Sequence, residues 1–465
     1  MGRSGRHRTG IPIGVPEANS ALVARLREQL GDEVDGLENA LATEPVVSIR
    51  VNPNKWSGPQ NTEPVPWCGT GHYLAERPAF TFDPLLHAGA YYVQEASSML
   101  LEQAVLASGL ANERIAALDL CAAPGGKSTH LRSLLHADTL LVSNEIDPKR
   151  ATVLQENLWK WGAANSMVTC AAPQRYAHLQ EVFDLVVVDA PCSGEGMFRK
   201  DAFAREQWKP ALVKQCSAMQ HDALEHAWNC LRPGGMLIYS TCTWEIEENE
   251  AQVAALMARG GHTIAIPTLP EWGMHRTSRH GIDAVRCYPH RVRGEGSFIA
   301  LLRKAGERTG HAVPRNTQEV TGTAPWLLPS RAWNLIEMNA QQFAIDATWS
   351  AMVERIRSAV PTWSSGVPYA ERKGITWRPH PGLAFAQDLD RSRFHSIPLD
   401  HTQAITMLRG NALSTSDARG AGLATYQDVP LGWLQGAGDR WNNRWPAAWR
   451  IRSARPSAPL VSWSA

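Results

Sequence analysis

The chain has 465 residues, 44% of them hydrophobic, and its 46 lysines and arginines stand against 45 acids for a formal net charge of +1. That is room for two or three domains with a sizeable core. It excludes a global field that would draw a polyanion to the whole surface, so a nucleic-acid partner requires locally concentrated basic residues. None of the eight cysteines forms a C-x-x-C pair. That spacing argues for a reduced, cytoplasmic protein without a metal, and no run is long and apolar enough to span a bilayer.

Residues 1–16 carry three arginines and a histidine but no apolar segment of signal-peptide length, which predicts a flexible basic tail. From Glu17 to Asn39, Ala21, Leu22, Leu26 and Leu30 recur at helical spacing, and Val46 to Asn52 reads as a strand stopped by Pro53. Arg50 and Lys55 are candidate phosphate contacts. Phe82 to Leu101 leads through Tyr91-Tyr92, Gln94 and Glu95 into an apolar helix running to Ser108. Tyr92, Gln94 and Ser97 are candidate walls of a ligand pocket; an ordinary helix start with a buried aromatic has the same pattern.

Ala116 to Leu135 organises the rest. It reads as a buried strand, a turn through Pro124, Gly125 and Gly126, and a helix marked by Leu131, Leu134 and Leu135. Such a turn aims unpaired backbone N–H groups at an anionic ligand. A phosphate-binding P-loop needs glycine five residues before its Gly-Lys pair, where this chain has Cys121, and Gly-x-Gly-x-x-Gly is absent. What remains is a nucleoside-like ligand with a modest anion, which S-adenosylmethionine fits.

Strands and helices then alternate as a parallel doubly wound sheet requires. Leu140–Asn144 ends at Glu145, placed to accept from a ribose diol. Ser166–Cys170 follows. Phe183–Asp189 is apolar enough to be buried on both faces and delivers Asp189 and Cys192 to the carboxyl edge. The helix Gln215–Cys230 stops at Pro233-Gly234-Gly235, and Met236–Ser240 delivers Cys242 to the same edge. Arg286, His290, Arg291 and Arg293 form the densest basic cluster near that rim, a candidate phosphate contact. Lys304 to Pro314 is glycine-bearing and polar, a predicted linker. Ten of the eighteen tryptophans lie from Trp326 onward, in short pieces that predict a small β-rich domain.

Two cysteines converging on a methyl-donor site point to covalent activation of a carbon that is otherwise not nucleophilic, such as cytosine C5 after thiolate attack on C6. Asp189 is the candidate partner for the base's N3 and exocyclic amine. At these residues the chain resembles the Sun/Nop family of RNA 5-methylcytosine methyltransferases, and within it the bacterial RsmF-like group that methylates 16S ribosomal RNA. SIRVNP, YYVQEASSM, LDLCAAPGGKSTHL, NEID, VVVDAPCSGEGMFRKD, STCTWEIEENE and YPHRVRGEG arrive in the family's order.

The resemblance implies that Cys242 is the nucleophile and Cys192 assists product release. The reverse assignment, as in DNA cytosine methyltransferases, is the alternative. It further implies that Cys121, Ala122, Ala123, Pro124, Gly125, Gly126, Lys127, Glu145 and Asp189 line the S-adenosylmethionine site. The implied partner is RNA, either 16S rRNA or the small ribosomal subunit, with tRNA as the other substrate class. Where many relatives have an acid near the adenine, this chain has Cys170-Ala171-Ala172-Pro173, so adenine recognition is left to backbone or apolar groups.

Leu408-Arg409-Gly410, Pro430-Leu431-Gly432-Trp433 and Asn443-Arg444-Trp445-Pro446 resemble the group's PUA-like RNA-binding domain. The expected fold is thus α/β. A small α+β RNA-binding subdomain (17–90) precedes a Rossmann-like doubly wound methyltransferase domain (91–305), then a connecting segment (306–360) and a β-rich PUA-like domain (361–465).

Overall fold

The structure, a computed structural model, describes residues 20–308 and 323–463, so the tail expected over 1–16 lies outside the described residues. The described residues open with α1 (Ser20–Leu30) and α2 (Glu33–Leu41) in place of the single helix that the periodicity predicts. Gly31, at φ +58°, turns the backbone left-handed between them. Leu22, Leu26, Val34 and Leu37 bury their apolar stripes against Phe198, Trp208, Trp244 and Tyr288.

Strands β1 (Val47–Val51), β2 (Glu63–Pro64) and β3 (Gly71–Leu74) precede a short α3 (Pro84–His87), and β4 (Tyr91–Val93) completes an antiparallel sheet in the order β2-β3-β1-β4. The apolar helix expected from Glu95 is broken into a 3-10 turn over Ser97–Leu100 and α4 (Leu101–Ala107). Ser97 and Ser98 in that turn spend their backbone N–H groups on the Glu95 carboxylate.

The central unit runs β5 (Ala116–Asp119), α5 (Gly126–Leu134), β6 (Leu140–Asn144), α6 (Pro148–Trp161), β7 (Ser166–Thr169), β8 (Phe183–Asp189), α7 (Ala202–Gln207), α8 (Pro210–Cys230), β9 (Leu231–Thr241), α9 (Glu250–Met257), β10 (Gly261–Ile264), β11 (His275–Thr277), β12 (Ala284–Cys287) and β13 (Ser297–Lys304). Strands β5 to β9 are mutually parallel where they pair, and β13 returns antiparallel to β9. Alternate residues feed opposite faces. Leu118, Val142, Val186 and Val188 pack with Leu224 and Trp228 of α8, whereas Ala117, Leu141, Leu185 and Val187 pack with Leu101 and Val105 of α4 and Leu131 of α5. This double burial is why β8 reads as an unbroken apolar run.

The remainder differs from the expected boundaries. Lys304, the expected start of a linker, is the last residue of β13, and its ammonium donates to the carbonyls of Trp228 and Leu231. Where a connecting segment is expected, β14 (Trp333–Met338), β15 (Gln341–Asp346) and α10 (Ser350–Ala359) form, and Val353 and Ile356 of α10 cover the central sheet beside Tyr176 and Leu179. Then β16 (Thr362–Ser365) pairs with β7 and extends the central sheet, while β17 (Val367–Lys373) and β18 (Thr376–Pro379) complete a sheet with β14 and β15. A separate five-stranded sheet contains β19 (His395–Pro398), β20 (Leu413–Ala418), β21 (Ala421–Tyr426), β22 (Val429–Gly436) and β23 (Gly438–Asn443), with α11 (His401–Leu408) after its first strand. The β-rich end is therefore two sheets, of which only the second begins near residue 395.

Candidate active site

The turn after β5 is built from its carbonyl side. Arg150 of α6 donates to Ala123 O and Asn157 to Pro124 O, each at 2.8 Å. Thr129 N donates to Gly125 O at 2.9 Å, and Arg50 Nη2 reaches Gly126 O at 3.2 Å. With these carbonyls occupied, the turn is held from behind while α5 begins at Gly126 with its first N–H groups free of helical partners. Gly125 sits at φ +113°, and a Cβ there would meet Leu154 at 3.3 Å, so the turn requires glycine.

Asp119, Glu145 and Asp189 converge on this turn from the ends of β5, β6 and β8. Lys127 Nζ pairs with Asp189 Oδ2 at 2.7 Å, and Ser240 Oγ donates to Asp189 Oδ1 at 2.8 Å. Burial alone would lower the Lys127 pKa; the Asp189 carboxylate, as charge and as acceptor, outweighs it and raises it. Glu145 accepts from Asp147 N at 2.9 Å and lies 3.4 Å from Arg150.

Asp119, buried completely, accepts from Ser128 Oγ at 2.6 Å, while its Oδ1 has no partner among the described residues. Burial first, then the neighbouring Asp189 and Glu145 charges, push its pKa up to about 7 against the opposing pull of Ser128 and Lys127. Sequence reasoning missed Asp119. The available signal was a carboxylate at the end of an otherwise apolar strand.

Parallel pairing of β8 with β9 sets Asp189 opposite Ser240, so the segments beyond them run side by side. Cys192 and Cys242 meet there with their sulfurs 3.1 Å apart. Gly196 N donates to Cys242 O at 2.7 Å and ties the loop after Cys192 to the end of β9. The neighbouring Cys242 thiol first, then burial, raise the Cys192 pKa well above the ordinary thiol value.

Other expectations are corrected. Arg50 is no surface phosphate contact. It is fully buried, donating to Gln94 Oε1 at 2.8 Å and Thr129 Oγ1 at 2.6 Å, and it lies over the Trp161 ring. Lys55 likewise donates inward, to Ala88 O and Lys160 O. The basic cluster is spent on acids: Arg286 on Glu250, His290 and Arg291 on Glu33, and Arg293 on Glu63. His290, Arg291 and Arg293 thereby fasten the N-terminal elements to the central unit, while Arg286 ties β12 to α9. Tyr92 does stand beside the turn, its ring 3.4 Å from where a Gly126 Cβ would lie. Gln94 serves Arg50, and Ser97 donates from its hydroxyl to Glu95. At the other end of the site the backbone of Cys170 donates to Pro361 O, so the segment before β16 flanks Cys170 to Pro173.

Although the sequence predicts no metal, Cys68, Glu102 and His130 bring ligand atoms within 4.8 Å of one another. His130 Nε2 is 3.3 Å from Glu102 and 3.7 Å from Cys68. The Arg50 guanidinium acts on this group electrostatically, and His130 Nδ1 has no hydrogen-bond partner among the described residues.

The donor set fits S-adenosylmethionine. The start of α5 suits its carboxylate, and the partnerless Asp119 oxygen and the acids beside it suit its cationic groups. Fold and site together define a Rossmann-like S-adenosylmethionine-dependent methyltransferase.

Residues 106–303 match the model of the 16S rRNA methyltransferase RsmB/F family, residues 19–96 the N-terminal domain of 16S rRNA methyltransferase RsmF, and residues 394–451 the methyltransferase RsmF PUA domain. The ribosomal RNA small subunit methyltransferase F of Serratia proteamaculans is 31% identical over 425 residues, covering 83% of this chain and 84% of its own length. That of Shewanella loihica is 30% identical, covering 83% of each. A solved methyltransferase homolog protein from Pyrococcus horikoshii is 27% identical with a TM-score of 0.51, over 61% of this chain and 94% of its own. The chain belongs to the RsmF branch of the 16S rRNA methyltransferase RsmB/F family. It is an enzyme acting on RNA, and no helix among the described residues is long and apolar enough to cross a membrane.

Proposed function

We propose that the protein methylates cytosine C5 in the 16S rRNA of the small ribosomal subunit through a covalent bond between Cys242 and the base. The observation that carries this is the pair of thiol sulfurs 3.1 Å apart beside the Lys127–Asp189 pair. Bound S-adenosylmethionine supplies an electrophilic methyl group.

The Cys242 thiolate adds to C6, which makes C5 nucleophilic, and the Asp189 carboxylate accepts from the base's exocyclic amine and orients the ring. The negative charge taken up by the ring is discharged when C5 takes the methyl group. After C5 takes the methyl group, the C5 proton leaves to a base. The C5–C6 double bond re-forms as the C6–S bond breaks, returning the thiolate. Cys192, one sulfur diameter away, assists that elimination. Lys127 holds Asp189 in place, and residues 121–127 with Glu145 hold the cofactor.

The test is mass spectrometry of Cys192→Ala and Cys242→Ala proteins incubated with ribosomal RNA or small subunits and S-adenosylmethionine. The expected result is a trapped protein–RNA adduct with Cys192→Ala and none with Cys242→Ala, the trapped strand being 16S rRNA. Trapping by the Cys242→Ala protein instead reverses the two roles, and an adduct carrying tRNA overturns the substrate.

A further inference from the structure

Behind the two thiols lies a closed group of polar side chains that the proposed mechanism does not use. Each cysteine is followed by a hydroxyl residue, Ser193 after Cys192 and Thr243 after Cys242, and the two hydroxyl oxygens are 3.0 Å apart. Ser193 Oγ also lies 3.1 Å from both carboxyl oxygens of Glu195 and in short contact with Glu248 Oε1. All four residues are buried, Glu195 to 1% exposure and Glu248 completely.

A single Ser193 hydroxyl proton faces two carboxyl groups, so one of the two acids must hold a proton of its own, and the acid with more N–H donors is the better anion. Glu248 accepts from Ser193 N at 3.1 Å and Gln220 Nε2 at 2.7 Å, and the short Ser193 contact takes the single Ser193 hydroxyl proton. Glu195 Oε1 accepts from Trp208 Nε1 at 2.8 Å. The contact between Glu195 and Ser193 Oγ then has no hydrogen left unless Glu195 supplies it.

Among the described residues no cation compensates two carboxylates here. Arg25 of α1 is bonded to Glu245 and Glu247, and Arg286 of β12 to Glu250. Other titratable groups that act on the pair, Glu245, Tyr239 and the thiols of Cys192 and Cys216, add no positive charge. An ionised Glu195 would be a second buried charge beside Glu248, at high cost.

We propose that Glu195 is a neutral carboxylic acid that donates its proton to Ser193, and that as a positioning residue it holds the Cys192 and Cys242 loops together. This rests on the reading of those two cysteines as the reacting pair. Burial first, with the Glu245 and Glu248 charges adding to it, lifts the Glu195 pKa to about 7 against the Thr243 hydrogen bond, and burial raises Glu248 as well. The tie therefore holds through neutrality and weakens above it. Loss of the proton would set two carboxylates against one hydroxyl, open the tie and place a negative charge beside Cys192.

The test combines single-turnover methyl transfer over a pH series with infrared difference spectra of wild-type protein, E195Q and E195A. Alanine is expected to lower the rate about tenfold or more at every pH with cofactor affinity intact, and glutamine, whose amide donates permanently, to rescue it. The ratio of wild-type to E195Q rate falls toward tenfold per pH unit above about 7. A carboxylic-acid carbonyl band, present in wild type and absent in E195Q, titrates away over the same range.

A flat rate ratio, failure of glutamine to rescue, or absence of the band from wild type at neutral pH overturns the proposal. Should E195Q fail to fold, the band is read on Asp119→Asn protein, which lacks the other buried acid that titrates near 7. Adduct trapping by Cys192→Ala is scored separately: its failure with the band intact defeats the covalent reading and leaves the protonation of Glu195 standing.

Discussion

Gly196 is the most demanding position beside the thiols. A Cβ built there lies 2.9 Å from Cys242 O, 2.9 Å from Gly296 O and 3.1 Å from Cys242 Cβ. None of these is the end of a flexible side chain. Gly196→Ala must therefore displace the Cys192 loop or the Cys242 strand end by a few tenths of an ångström, and the 2.7 Å bond from Gly196 N to Cys242 O is in the path. Overpacking of this kind costs about 1–3 kcal/mol. If the strain appears as misplacement of the thiol, the same energy lowers kcat roughly 5- to 150-fold. The cofactor turn is held by Arg50, Arg150, Asn157 and Thr129, none of which Gly196 touches, so S-adenosylmethionine affinity should hold. The assay is transfer of a labelled methyl group to small subunits, with cofactor binding by calorimetry. Wild-type kcat in Gly196→Ala would refute the close approach.

Three further outcomes follow from buried cations and glycine. Arg50→Met removes charged hydrogen bonds to Gln94, Thr129 and Gly126 and should cost about 3 kcal/mol in denaturant unfolding, with weaker cofactor binding because Gly126 opens α5. Burial pushes the Lys55 pKa from 10.5 to about 7. Between those values the unfolded chain binds the extra proton, so this group's contribution to stability rises with pH across that window; Lys55→Met should flatten that part of the melting-temperature profile between pH 7 and 9. Gly162, at φ +87°, would place a Cβ 2.1 Å from Phe385 O, so Gly162→Ala should lower the melting temperature by several degrees, whereas Gly31→Ala, with open space around it, should change it less.

What the sequence revealed depended on range. Strand β8 is legible because burial on both faces leaves an uninterrupted apolar run, and the meeting of Cys192 with Cys242 follows once β8 and β9 are neighbours. Arg50 was not legible, since its partner Thr129 is 79 residues away and a basic residue in a short strand looks the same whether solvated or buried. The arginines around 286–293 read as a free basic patch because their acids, Glu33, Glu63 and Glu250, arrive from other elements; His290 and Glu33 are 257 residues apart. Strand β16 escaped for the same reason. Its pairing with β7 is set by a sheet edge that exists only after the central domain has folded.

The flanking domains are bound to each other as well as to the centre. Ile49, Phe80, Phe82, Leu85 and Tyr91 of the N-terminal part share one core with Met407, Leu408, Leu431 and Trp445 of the C-terminal sheet. Removing residues 394–463 would bare those five side chains, at about 1.5–3 kcal/mol each, a sum of order 10 kcal/mol and comparable with a whole domain's stability. The truncated protein is therefore expected to lose cooperative unfolding and cofactor binding together, because β1, which carries Arg50, lies in that core and Arg50 holds the turn at Gly126. If the C-terminal sheet were an independent RNA-binding appendage, the same truncation would melt normally, bind S-adenosylmethionine normally and lose only affinity for the ribosomal subunit. A calorimetric melt with and without S-adenosylmethionine separates the two. For the proposed chemistry such a shared core matters, because a misplacement of about 1 Å between base and thiol costs on the order of a hundredfold in rate, a tolerance that a flexible linker would not meet.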